Sequence, residues 1–97
     1  MKSAVTLVKQ EGPTSIYIDV RITGEGDLLF SGQDLGEAPE EFFGDSDYEY
    51  WLQIPSDQKD RVLMALIEKL YCGNASVISE MKELLNSKGI PSKFNSY

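Results

Sequence analysis

The stretch "SIYIDVRIT", residues 15–23, constrains the fold more than any other part of the chain. Ile16, Ile18, Val20 and Ile22 alternate with Tyr17, Asp19, Arg21 and Thr23. A strand with one buried and one wet face has that period of two. The following "GEG" supplies glycines for the positive φ that tight hairpin turns require, and "DLLFSGQ" returns as the partner strand. Gly12-Pro13 sets off an earlier strand at about 4–9. "YEYWLQI" makes a fourth at 48–54, with Tyr48, Tyr50, Leu52 and Ile54 on one side and Glu49, Trp51 and Gln53 on the other. The third strand is expected at about 27–33.

After Pro55 the period changes. Ser56 is read as an N-cap, with Asp57 and Asp60 in the first turn, where the helix dipole favours negative charge. Val62, Leu63, Leu66, Ile67 and Leu70 then follow helical spacing, and Asp57 and Arg61 stand four apart as an ion pair. Gly73 ends this helix, at about 57–72. Asn74 or Ser76 caps the next, at about 76–88, whose Val77, Ile78, Met81, Leu84 and Leu85 form another stripe. Gly89, Ile90 and Pro91 close it in the order of a left-handed C-cap. Strands first and helices last argue for one α+β domain over 1–97: a four-stranded, mostly antiparallel meander with two C-terminal helices on its apolar face. No helical segment separates the early strands, which disfavours a split βαβ arrangement.

Charge is distributed unevenly. Residues 22–58 hold ten acids and no base, and the whole chain carries a formal −7. An acidic surface repels phosphate backbones, so nucleic acid is not an expected partner; it is compatible with a basic protein partner, and solubility is its plainer explanation. No apolar run approaches the roughly 18 residues of a membrane span, and the N-terminal apolar stretch is too short for a signal peptide. The single cysteine fits a reducing compartment, and the expectation is a cytoplasmic protein.

Common catalytic routes lack their parts. Without histidine there is no Ser-His-Asp or Cys-His system and no usual zinc site. Cys72, near a helix C-terminus where the dipole disfavours a thiolate, reads as structural or incidental. "GEG" is a turn and not a dinucleotide fingerprint, and no cofactor motif is present. Carboxylates are the plentiful group. Asp45, Asp47 and Glu49 alternate and would point one way in an extended segment, which makes them the candidates for a divalent-cation site. A solvated acidic loop is the plainer reading.

Aromatic residues are the remaining signal. Phe42 and Phe43 lie within the acid, either as a lid over the core edge or as anchors on a binding surface. Trp51 falls on the face opposite the helices, with Tyr17, Arg21 and Glu49 as candidate neighbours. An indole there calls for a partner, a second subunit or cover from the tail "PSKFNSY". Gly32 and Gly36, around "QDL", suggest a strand leaving the sheet through a bulge or tight turn, with Asp34 accepting backbone N–H groups in it.

At "GQDLG", "GDSDYEYW" and "KGIP" the chain resembles a family of short bacterial proteins with no assigned activity, in which these elements recur in this order. The resemblance spans 28–94. It implies a small intracellular α+β protein and carries over no catalytic residue. Two functions follow as expectations. One is a non-enzymatic interaction module, immunity- or regulator-like, that binds a protein partner or itself through Trp51 and the acidic connection. The other is a carboxylate-based divalent-cation binder or small hydrolase using Asp45, Asp47 and Glu49.

Overall fold

A computed structural model describes residues 3–44 and 47–97, including all side chains of these except Glu40, Phe42 and Phe43. The elements are β1 (Ala4–Gln10), β2 (Thr14–Ile22), β3 (Leu28–Gly36), α1 (Glu37–Phe43), β4 (Asp47–Ile54), a 3-10 turn (Ser56–Gln58), α2 (Lys59–Tyr71) and α3 (Val77–Ser87). The four strands form one antiparallel meander in the order β1-β2-β3-β4. With the two C-terminal helices this is the expected α+β class. The chain divides into two compact units, one ending at Arg61 and the other spanning Val62–Tyr97.

In the sheet unit, register assigns the paired side chains to faces. Ile18 pairs with Gly32 and Gly32 with Tyr50; Val20 pairs with Phe30 and Phe30 with Leu52; Ile22 pairs with Leu28 and Leu28 with Ile54. Directly paired residues point the same way, so these form one apolar face, joined by Val5 and Val8 from β1. The alternation read from residues 15–23 and 48–54 therefore stands. The β2–β3 turn closes by Gly26 N–H donating to Thr23 O at 2.9 Å, with Gly26 at φ 87°.

The "GQDLG" segment departs from expectation. No bulge occurs there: β3 stays in register with β2 through Gly36, which pairs with Thr14, and the chain leaves the sheet only after that glycine. The register shift lies instead in β1, between Thr6 and Val8. A bulge in an edge strand twists the edge and discourages pairing with other chains. Gly32 is buried because the Tyr50 ring lies across it, and a Cβ added at Gly32 would fall within that ring. Asp34 accepts no turn N–H; its carboxylate takes the Tyr50 hydroxyl at 2.9 Å. Burial and then this acceptor hold the Tyr50 phenol above its ordinary 10.0. Tyr48 lies beside it, with ring centroids 5.4 Å apart and the rings tilted by 34°.

Gly36, at φ +117°, turns the chain from β3 into α1. A Cβ there would strike the Pro13 carbonyl, which accepts from Glu37 N–H at 3.1 Å. Thr14 Oγ1 accepts from Ala38 N–H at 3.0 Å. The acidic connection thus contains α1, seven residues or about two helical turns.

Ser56 is not a side-chain cap; it opens the 3-10 turn, and its N–H donates to Asp27 Oδ1 at 2.9 Å. The other oxygen of Asp27 accepts from Gln53 Nε2 at 2.8 Å, so one carboxylate joins the β2–β3 turn to the end of β4. Arg61 donates to Gln58 Oε1 at 3.0 Å in place of the expected pair with Asp57.

The helical unit is a hairpin. Asn74 Oδ1 accepts from Ser76 N–H at 2.8 Å, which makes Asn74, not Ser76, the side chain that starts α3. Its far end is a Schellman motif: Ile90 N–H donates to Leu85 O and Gly89 N–H to Asn86 O, with Gly89 at φ 67°. The two apolar stripes meet along a groove of about 420 Å³ lined by Leu66, Ile67, Leu70, Met81, Leu84 and Leu85. Phe94 returns along α3, its ring 4.1 Å from Lys82 Nζ, a cation–π contact.

Candidate functional site

The second sheet face is polar, and β4 supplies its one indole. Trp51 pairs with Ser31, and Ser31 with Asp19 and Asp19 with Thr6, giving a row of Thr6, Asp19, Ser31 and Trp51 across four strands. The adjoining row is Lys9, Tyr17, Gln33 and Glu49. Two rows of this kind, one with a small residue near its centre, leave a depression. Its volume is about 270 Å³, and its lining includes Tyr17, Asp19, Ser31, Gln33, Glu49 and Trp51.

Three of the residues singled out from the sequence, Trp51, Tyr17 and Glu49, meet here. Trp51 is 63% exposed. For a side chain that buries 150–250 Å² in a core, this is a large apolar area left in water. Arg21 shares the face but lines a separate depression with Ser3, Val5 and Leu28, and does not join the groove. Asp19 takes its place. Alternation put Tyr17, Asp19 and Arg21 on one face alike; only the register tells which of them stands in the row of Trp51.

The acids of the groove are not equivalent. Gln33 Nε2 donates to Asp47 Oδ1 at 3.1 Å and, at 3.5 Å, to Glu49 Oε1, so one amide lies between the two carboxylates. Asp19 is half-buried, and among the described residues no group donates to it. Of the candidate cation ligands, Asp45 lies outside the described residues; Asp47 and Glu49 are brought together on Gln33. Among the described residues no three acids or cysteines gather as they would around a metal ion. Phe42 and Phe43 fall within α1, and their side chains are outside the described part. Cys72 is an exposed free thiol in the helical unit. No helix among the described residues is long and apolar enough to cross a membrane.

No protein-family model, curated protein or solved structure matches the chain.

Proposed function

We propose that this protein is an interaction module, immunity- or regulator-like, that docks a basic protein partner on the polar face of its sheet. The observation that carries the reading is Trp51, solvated on the edge strand of that face and sharing one groove with Asp19 and Glu49. Interface anchors are typically aromatic side chains ringed by polar groups, and complementary charge raises the rate at which partners meet. The acids of residues 22–58 add a negative field around the same strands.

The test compares the intact chain with its Trp51→Ser variant as affinity baits in bacterial lysate, with retained proteins identified and sedimentation run on each bait alone. The expected result is a basic protein retained by the intact chain and lost from the variant, with both baits equally folded. Identical retained proteins and identical sedimentation would refute the reading.

A further inference from the structure

We infer that the groove beside Trp51 is a seat for one arginine side chain of the partner, inserted above Ser31 between the indole and the Asp19 carboxylate. This deepens the docking reading and rests on it. The geometry follows from the row itself. Asp19 and Trp51 lie on strands β2 and β4, two strand spacings apart. At about 4.8 Å each, that sets their Cα atoms about 10 Å apart. Between them stands Ser31, whose short side chain leaves the floor low. One wall is therefore an indole and the other a carboxylate. A planar cation fills such a gap, with its face on the ring and its edge on the acid.

Arginine fits this gap better than lysine. Its guanidinium stacks on aromatic faces, forks onto a carboxylate through two N–H groups, and is less strongly hydrated than an ammonium. Cation–π attraction acts within about 6 Å of the ring centroid and is strongest over tryptophan. Charge selects the same occupant. Asp19 has no donor among the described residues, whereas Glu49 already shares the Gln33 amide. The two bases of this face among the described residues, Lys9 and Arg21, lie outside the groove lining. A carboxylate whose oxygens stay open to the groove can accept from both N–H groups of an incoming guanidinium, and a hydrogen bond between charged groups is about twice as strong as a neutral one.

The chain has one tryptophan, so its fluorescence reports the seat directly. The probe is an acetylated, amidated tri-arginine peptide, with tri-lysine and uncharged tri-citrulline as controls. Tri-arginine is expected to change Trp51 emission saturably, bind at least fivefold tighter than tri-lysine, and leave tri-citrulline without effect. Asp19→Asn, nearly isosteric, should weaken tri-arginine about tenfold. Ser31→Leu, which raises the floor without changing charge, should weaken it by a similar factor. Both variants are checked by thermal melting, and either one that melts like the parent suffices. Equal response to tri-arginine and tri-citrulline, or undiminished binding by a folded Asp19→Asn, overturns the arginine seat. If Trp51→Ser still loses its partner in that case, the docking reading survives alone. If Trp51→Ser retains the partner, docking itself has failed.

Discussion

Tyr50 and Trp51 are neighbours in one strand and opposites in circumstance. Tyr50 lies on the apolar face, its ring across Gly32 and its hydroxyl on Asp34. Trp51 points the other way into a shallow acidic groove and is 63% exposed. The larger and more costly side chain to solvate is the one left in water. Folding explains the tyrosine, since a glycine paired with an aromatic ring fills a gap that would otherwise weaken the strand. Folding does not explain the tryptophan. The contrast separates residues that hold the sheet together from residues available to something else.

The contrast breaks most severely at Gly32. Gly32→Val places a side chain where the Tyr50 ring lies and should destabilise the protein by about 2–3 kcal/mol, read by chemical denaturation. Tyr50→Phe keeps the ring and removes the hydroxyl, leaving Asp34 without that donor; the expected loss is about 1–2 kcal/mol. Alkaline titration probes the same bond more gently. The Tyr50 phenol is raised above 10.0 in the folded state, so the protonated form is favoured by folding. That contribution is fully present below pH 10 and is lost as pH rises through the raised value. Tyr50→Phe should therefore delete a late-ionising phenol from an ultraviolet titration. Trp51→Ser should have the smallest effect on stability, within about 0.5 kcal/mol, while it abolishes partner capture. A large loss of stability from that variant would place Trp51 with Tyr50, among the residues that hold the fold.

Both faces of the sheet were legible in the sequence, because alternation in "SIYIDVRIT" and "YEYWLQI" needs no knowledge of the partner strand. The course of residues 32–36 was not. Glycine reads as a breaker when its cross-strand neighbour is unknown, and Gly32 is a strand residue only because Tyr50 covers it. The helix caps show the same boundary. The Gly89-Ile90 ending is local and was readable, whereas the acceptor for Ser56 N–H is Asp27, far away in sequence. At the candidate site, Trp51 and Tyr17 followed from alternation. Asp19 did not stand out from Arg21, because their difference is a matter of register across three strands.

Charge-selective quenching of the lone tryptophan in the free protein tests most directly whether the indole stands in water beside carboxylates. Caesium should quench its emission more strongly than iodide, and Asp19→Asn with Glu49→Gln should shrink that difference. Emission shifted to the blue and insensitive to both ions would mean that the ring is enclosed, and the face would have nothing to offer a partner.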